Sequence, residues 1–290
     1  MPPVLAAAAM PHGGRHSGDN ALLHQEHDMT TTLAILAALP EEISDLLDEM
    51  GTTATTHRIG MRDYHVGTLH GQRCVIALAR VGKVAAAATT VVMIREFNAS
   101  MVIFTGLAGG IHPDVRIGDV VVASSLIQHD LDARPLFAQY EVPLLSCTHF
   151  ETEAEAACRL QQCAAAFFED GFAAAVSPQT RRALGVMAPR VHVGLIATGD
   201  RFVSAEPECH ALRSSLPQAL CVEMEGAATA QVCHEFGVPF AVFRTISDRA
   251  DSAATVDFTS FLNSIAKVYS AGILRRFLIA LQHRKAQATG

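Results

Sequence analysis

"MVIFTGLAGG", residues 101–110, begins with four apolar residues in a row and ends in glycines and small residues. It lacks the alternation of apolar and polar residues that a strand with one face in water would have. A strand that is apolar on both faces has to lie between two layers of helices. PFAVFRTIS, residues 239–247, has the same character. The two stretches predict a central, largely parallel sheet that is covered on both sides.

Strand-like and helical patterns alternate along the rest of the chain, as is typical of an α/β layered domain. Apolar runs typical of strands lie at 32–38, 74–80, 101–106, 119–125, 191–197, 219–224 and 238–246. Helical patterns lie at about 40–50, 84–97, 151–168, 206–214, 225–236 and 257–282. Residues 57–79 instead alternate around a His-Gly pair, which predicts an inserted antiparallel hairpin. We therefore expect an α/β, three-layer domain with a central mixed, largely parallel sheet.

Composition limits the classes of function. The 290 residues are 50% hydrophobic, enough for a large core, and carry a formal net charge of −7. This charge disfavours binding to nucleic acids or anionic membranes, so we expect neither as a partner. No apolar stretch is long enough to predict a transmembrane helix. Seven cysteines without any CxxC spacing predict reduced thiols in a cytoplasmic protein and no metal site.

The first 28 residues differ in composition from the rest of the chain. They mix Pro, Gly, His and Ser without a period, and VLAAAAM is too short for a signal sequence. We expect residues 1–28 to form a disordered tail. A single domain is expected over residues 29–290, with Met29 as a candidate start.

Several common catalytic motifs are incomplete here. RVGKVAAA lacks the upstream Gly and the Ser/Thr of a phosphate-binding Walker A loop, and GLAGG has no nucleophilic serine. SIAK, residues 264–267, lies inside an amphipathic helix without the partner motifs of Ser-x-x-Lys enzymes. His129 and Asp130 alone are a weak signal for a metal site.

Polar residues and glycines occur where the apolar strands end. They are Glu41 and Glu42 after TLAILAAL, TGLAGG after MVIF, Asp200 after VGLIATG, Glu223 and Glu225 after ALCV, and Arg244, Ser247 and Asp248 after PFAVF. Each residue alone has an ordinary explanation as a helix-start or turn residue. Together they place carboxylates, glycines and one arginine at one edge of the sheet, where open α/β folds bind ligands.

Seven motifs, in order, resemble those of the methylthioadenosine/S-adenosylhomocysteine nucleosidases, a family within the nucleoside phosphorylase superfamily. They are LAALPEEI, RVGKVAAA, TGLAGG, IGDVVVAS, GLIATGDRFV, VEMEGAATA and FRTISDRAD. The resemblance covers about residues 32–282. LPEEI is typical of the hydrolytic branch, and the Gly-Asp-Pro-x-x-Arg phosphate loop of phosphorylases is missing.

The resemblance implies a nucleoside phosphorylase-like domain at 29–290 that hydrolyses an N-glycosidic bond and releases adenine, with no cofactor and no metal. Water replaces phosphate as the nucleophile. Such a reaction builds positive charge on the ribosyl ring and negative charge on the leaving base. It therefore needs one acid and one base.

The catalytic roles are assigned by the same resemblance. Asp248 protonates or hydrogen-bonds N7 of adenine, and Glu42 takes a proton from the attacking water. Glu225, with Met224, holds the 2′ and 3′ hydroxyls of the ribose and stabilises the developing positive charge.

The resemblance also implies the binding residues. Phe202 stacks on the purine, the backbone around Phe202 and Val203 reads its edge, and Phe258 lines an apolar pocket for the 5′-thio group. The remaining predicted substrate-binding residues are Gly109, Glu223, Arg244 and Ser247. A homodimer is implied too, in which LFAQYEVP, residues 136–143, helps to close the pocket of the partner.

One position departs from the family pattern. The nucleosidases often carry Ser in TGSAGG, where its hydroxyl helps to hold the nucleophilic water; here Leu107 takes its place. The sequence also leaves the preferred 5′ substituent undetermined. The candidate substrates are methylthioadenosine, S-adenosylhomocysteine, 5′-deoxyadenosine and an aminofutalosine-like nucleoside.

Two other classes of function are alternatives to a nucleosidase. A phosphorylase would need a cationic cradle, for which Arg80 and Arg244 are the candidates. A non-catalytic nucleoside-binding protein would lack the acid or the base, whereas Glu42 and Asp248 are both present.

Overall fold

The computed structural model describes residues 31–288, so the predicted tail at 1–28 and the boundary at residue 29 lie outside the described residues. Eleven strands within this range form one sheet. They are β1 Thr32–Ala37, β2 Thr55–Ile59, β3 Arg62–Leu69, β4 Gln72–Leu78, β5 Ala99–Phe104, β6 Leu107–Gly110, β7 Val120–Gln128, β8 His149–Glu151, β9 Val191–Thr198, β10 Ala219–Glu223 and β11 Phe240–Asp248. All seven predicted strands are present with ends shifted by a few residues, and β3 belongs to the predicted hairpin, while β2, β6 and β8 were not predicted as separate strands.

Helices connect most of the strands in the described part of the chain. They are α1 Ser44–Met50, α2 Lys83–Phe97, α3 Ala154–Ala166, α4 Phe172–Ala175, α5 Pro178–Ala183, α6 Glu206–Ser215, α7 Gly226–Phe236, α8 Ala254–Ser264 and α9 Ala266–Ala288. A short 3-10 turn, Pro40–Glu42, precedes α1, and a π turn, Phe167–Gly171, joins α3 to α4. Within residues 31–288, no helix is both long enough and apolar enough to cross a membrane.

The prediction of one helix at 257–282 is wrong. The backbone leaves the helical region at Ile265, with φ −140° and ψ −4°, and this residue separates α8 from α9. The break lets Phe261 and Tyr269 meet edge to face with their ring centres 5.7 Å apart. No glycine or proline marks the break in the sequence, so no local signal could have predicted it.

The predicted hairpin at 57–79 is confirmed. Strands β3 and β4 pair antiparallel with Leu69 opposite Gln72, which leaves His70 and Gly71 as a two-residue loop. Both loop residues have positive φ, 46° and 76°, as tight hairpin turns require.

Helices cover both faces of the sheet. Leu33 and Ile35 of β1 pack in a core that includes residues of α1, α3 and α9. Their neighbours Ala34 and Leu36 point the other way, into a core with residues of α2 and α7. Alternate side chains of one strand are thus buried on opposite faces, which confirms the predicted α/β fold with a mixed central sheet.

Strand β11 joins the two parts of the sheet. Its first residues, Phe240–Val242, pair parallel with β5, and its last, Thr245–Asp248, pair parallel with β6. The middle residues, Phe243–Thr245, pair antiparallel with β7. Because β6, β10, β9 and β7 also pair in that order, five strands close into a ring. The sequence did not predict this closure, which brings the ends of β10 and β11 together.

Candidate active site

A cavity of about 360 Å³ opens where β1, β10 and β11 end. It is lined by nine of the eleven predicted site residues, namely Glu42, Gly109, Phe202, Glu223, Met224, Glu225, Ser247, Asp248 and Phe258. The lining residues that were not predicted as site residues are Ala38, Leu39, Val81, Leu107, Ala108 and Val222. Four of the six carboxylates that follow the strands, Glu42, Glu223, Glu225 and Asp248, therefore share one cavity, whereas Glu41 and Asp200 do not line it.

The two other predicted residues lie next to this cavity. Val203 is buried and lines a small recess of about 20 Å³ that it shares with Phe202 and Asp248. Arg244 is buried behind the cavity wall. Its contacts are therefore with the protein and not with the cavity itself.

Arg244 forms a buried ion pair with Glu223. Its Nε and Nη2 donate to Oε2 of Glu223 at 3.1 and 2.5 Å. The guanidinium also lies over the ring of Phe104, 4.2 Å from the ring centre. An unpaired buried charge would be costly, so each partner requires the other.

Glu223 accepts further hydrogen bonds from its surroundings. The hydroxyl of Thr198 donates to Oε1, and the amides of Glu225 and Gly226 donate to the same carboxylate at 3.2 and 2.8 Å. A carboxylate has about four lone-pair positions. Glu223 thus has little capacity left for a ligand, although it lines the cavity.

Glu42 is buried and held by backbone amides. Its Oε2 accepts from the amides of Ala38 and Leu39 at 2.8 and 2.9 Å, and its Oε1 accepts from the amide of Leu107 at 3.0 Å. Burial raises the pKa of Glu42, against the amide hydrogen bonds and the charge of Arg244, which lower it. Leu107 therefore contacts this carboxylate through its backbone.

Glu225 ends the loop before α7 and is also buried. Its Oε1 accepts a hydrogen bond from the amide of Gly82 at 2.8 Å. Burial, together with the neighbouring Glu223 carboxylate, raises the pKa of Glu225 to about 8. The neutral form of this side chain is therefore favoured near neutral pH.

Asp248 lies at the end of β11 and points into the cavity. Ser247 Oγ donates to its Oδ2, and the amide of Ala250 donates to its Oδ1, both at 2.8 Å. Burial raises the pKa of Asp248 in spite of these hydrogen bonds. A Cβ on Gly109 would lie 2.9 Å from Oδ1, so glycine at that position leaves room for this carboxylate.

Aromatic rings form the apolar part of the cavity. Phe202 and Phe258 meet at 75°, with ring centres 5.7 Å apart. Phe202 is 41% exposed, so its face is accessible at the mouth. This end of the cavity suits an apolar or flat group.

A larger cavity of about 610 Å³ lies elsewhere, between β2, β3 and the end of α2. Its lining includes His57, Arg73 and Glu96. It brings together no pair of carboxylates, so it lacks the acid and base that the smaller cavity provides. Among residues 31–288, no three His, Cys, Asp or Glu side chains are grouped closely enough to hold a metal ion.

The contribution of the loop before α2 was not predicted from the sequence. RVGKVAAA is incomplete as a phosphate-binding loop, yet Val81 lines the cavity and Gly82 contacts Glu225. The available signal was a Gly-Lys pair at the start of a helix just after a strand, where free amides point outward.

Comparison with known proteins gives consistent matches. The profile of the phosphorylase superfamily matches residues 32–279. A 5′-methylthioadenosine/S-adenosylhomocysteine nucleosidase of Geobacillus thermodenitrificans is 35% identical over 257 residues, covering 88% of this chain and 99% of the relative. One of Anoxybacillus flavithermus is 33% identical over 235 residues, covering 81% and 92%.

Solved structures are also similar. The nucleosidase of the same name from Neisseria meningitidis, in complex with methylthio-immucillin-A, superposes with a TM-score of 0.75 at 32% identity, covering 86% of this chain and 99% of that one. The futalosine hydrolase of Helicobacter pylori has a TM-score of 0.73 at 31% identity, covering 87% and 99%.

The raised pKa of Glu225 predicts a pH-dependent stability. Its folded-state pKa of about 8 lies above the ordinary value of 4.5, so the folded protein binds a proton that the unfolded chain releases. The stability from this proton is complete below about pH 4 and is lost as pH rises through about 8, by at most about 1.4 kcal/mol per pH unit.

Denaturant titrations of wild type and Glu225→Gln across this range test the prediction. Wild type should lose stability with rising pH relative to the variant, because Gln keeps the neutral form at every pH. Glu235→Gln, at an exposed site on α7, the helix that follows Glu225, is the control and should follow wild type. Parallel curves for wild type and Glu225→Gln would contradict the prediction.

Proposed function

The chain belongs to the phosphorylase superfamily, whose profile matches residues 32–279, and we propose that it is a purine nucleosidase. It hydrolyses the N-glycosidic bond of adenine nucleosides with a 5′-thio substituent, methylthioadenosine and S-adenosylhomocysteine, and releases adenine. Relatives that carry these substrates in their names align over more than 90% of their own length. The proposed catalytic domain comprises residues 29–290.

The charged residues of the cavity are the observation that favours hydrolysis over phosphorolysis. Its described lining contains four carboxylates and no Arg, Lys or His. Such a lining stabilises positive charge that develops on a ribosyl ring. A phosphate dianion would need cationic groups, which this lining does not supply, so water is the nucleophile that we assign to this cavity.

We assign Glu42 as the base that takes a proton from the water. Its raised pKa makes the ionised carboxylate a stronger base than an exposed glutamate. Three backbone amides fix its orientation at the wall of the cavity. With Leu107 in place of the family's serine, Glu42 itself is the group that holds the water.

Asp248 is the proposed acid at the other end of the reacting bond. Burial raises its pKa, which favours a proton that can be shared with N7 of adenine. Phe202 stacks on the purine, and the backbone around Val203 reads its edge. Ser247 and Gly109 support Asp248 through the contacts described above.

Glu225 and Met224 are the proposed ribose-binding residues. Gly82 occupies Oε1 of Glu225, and among the described residues Oε2 accepts no hydrogen bond. That oxygen is free to hold the 2′ and 3′ hydroxyls. Glu223 takes a positioning role through Arg244, since its lone pairs are already used.

The two alternative functions, a phosphorylase and a non-catalytic nucleoside-binding protein, have less support than a nucleosidase. Arg80, one candidate for a phosphate cradle, donates to the carbonyl of Met61 at 2.5 Å and lines a different cavity. Arg244, the other, is neutralised by Glu223. A binding protein without catalysis has no need for Glu42 and Asp248 in one cavity.

We assign the 5′ substituent to the apolar part of the cavity at Phe258, whose ring lies beside that of Phe202. An apolar side chain such as Phe258 favours an alkylthio group over a phosphate or another charged group. The similarity to a futalosine hydrolase keeps a bulkier 5′ group as a second substrate class.

We also propose that the protein is a homodimer and that it acts in the cytoplasm. Leu136 and Leu144, at and next to the LFAQYEVP segment, are 83% and 90% exposed in the single chain. A second copy of the chain would cover them and help to close the cavity. The seven cysteines, all within the described residues, form no disulfide bond, in keeping with a reducing compartment.

Adenine release from methylthioadenosine tests the function. Release should proceed at the same rate with and without inorganic phosphate, because the cavity offers phosphate no cation. The sugar product should carry no phosphate. A rate that depends on phosphate, or a ribose 1-phosphate product, would overturn the proposal.

Removal of the acid or the base should abolish most turnover. Glu42→Gln and Asp248→Asn should each lower kcat by about 10²- to 10⁴-fold, while a methylthio-substituted inhibitor still binds. Glu41→Gln removes a neighbouring carboxylate that does not line the cavity, and should retain wild-type kcat. Near-normal turnover by Glu42→Gln in a folded protein would show that the base is another group.

If Leu136 and Leu144 lie in the dimer interface, introducing a charge at these positions should dissociate the dimer. Wild type should sediment as a dimer at micromolar concentration, and Leu136→Asp with Leu144→Asp should sediment as a monomer with reduced turnover. Met187→Asp changes another exposed apolar residue, 62% accessible, and should stay dimeric. A fully active wild-type monomer would contradict the dimer.

A further inference from the structure

Three charged side chains form a network between two loops that contribute residues to the cavity, and none of the three lines it. Nζ of Lys83 lies 2.6 Å from Oδ1 of Asp130 and 3.7 Å from Oδ2 of Asp200. The amide of Lys83 donates to Oδ1 of Asp200 at 2.8 Å. The amide of Asp200 donates in turn to Oδ2 of Asp130, also at 2.8 Å.

The network joins two loops with different tasks. Lys83 begins α2 directly after Gly82, whose amide holds Glu225, the proposed ribose-binding carboxylate. Asp200 begins the loop that carries Phe202, the proposed adenine-stacking residue, two positions later. The contacts between Lys83 and Asp200 therefore tie the ribose side of the cavity to the adenine side.

Asp130 is the bridge in this network. It stands after β7 on a third segment, and each of its oxygens contacts a different loop. Burial alone would raise the pKa of Asp130, but the Lys83 ammonium and the Asp200 amide hold it below its ordinary value. Lys83 is only 16% exposed, so this pair differs from an ordinary solvated ion pair.

We propose that Lys83, Asp130 and Asp200 are positioning residues that fix the proposed adenine-contacting loop, 199–203, to the loop whose Gly82 amide holds Glu225, the proposed ribose-binding residue. The two halves of a nucleoside are then recognised together. This inference rests on the proposed function. The network touches neither Glu42 nor Asp248, so its loss weakens the binding of a ligand that spans both loops and leaves the chemical step nearly intact.

Asp130→Asn tests the bridge. In Asp130 the two donors bind different oxygens, and Asn replaces one of these oxygens with an NH₂ group that cannot accept. With the side chain in the same position, Asn therefore accepts from Lys83 or from the amide of Asp200 but not from both, and it also lacks the negative charge that pairs with the ammonium. The KM for methylthioadenosine should rise about tenfold with kcat within about threefold of wild type. The inhibition constant of adenine alone should rise by no more than about threefold, because adenine needs only one of the loops.

Two further variants make the test specific. Asp132→Asn changes an exposed carboxylate two positions away, which pairs with Arg134, and should leave both constants unchanged. Lys83→Met combined with Asp130→Asn should be no worse than the more severe single variant, because the two residues act as a unit. Thermal unfolding confirms that each variant is folded.

Several results would overturn the inference: an unchanged KM in both Asp130→Asn and Lys83→Met, equal losses for adenine and methylthioadenosine, or the same rise from Asp132→Asn. If wild type releases no adenine, the proposed function fails. Calorimetric binding of methylthioadenosine and adenine then makes the same comparison, so the two failures are distinguishable.

Discussion

The buried ion pair between Glu223 and Arg244 is the constraint on which the site depends. Arg244 lies in the middle of β11, where the two parts of the sheet meet, and its charge cannot stay buried without a partner. Glu223 supplies that partner and also accepts from Thr198 of β9 and from the amides that begin α7. One carboxylate thus joins three strands and a helix, and it places Glu225 at the cavity.

Burial of several carboxylates in one small cavity has a chemical consequence. Burial raises the pKa of Glu42, Glu225 and Asp248, most clearly that of Glu225, so each of them binds a proton more readily than an exposed carboxylate would. A ribosyl ring that becomes positively charged interacts favourably with the same groups. The environment that makes these carboxylates costly to ionise is therefore the one that makes them effective in cleaving a glycosidic bond.

The sequence predicted what depends on local pattern and missed what depends on distant pairing. Apolar runs predicted the strands, and the polar residues at their ends, together with the family resemblance, predicted nine of the cavity residues. Ring closure by β11 and β7 joins residues more than a hundred positions apart, with no local signal. The partner of Arg244 and the network around Asp130 likewise arise only when separate strands end side by side.

Cleavage of the N-glycosidic bond by water is the central claim, and isotopic labelling tests it most directly. Wild-type protein is incubated briefly with methylthioadenosine in water enriched in oxygen-18, and both products are analysed by mass spectrometry. Unlabelled sugar product kept in the same water for the same time is the control for slow exchange at its reducing carbon. The account predicts that the released sugar carries one heavy oxygen, at the carbon that held adenine, beyond the level of this control, and that adenine carries none. A sugar product without that excess label would contradict the account.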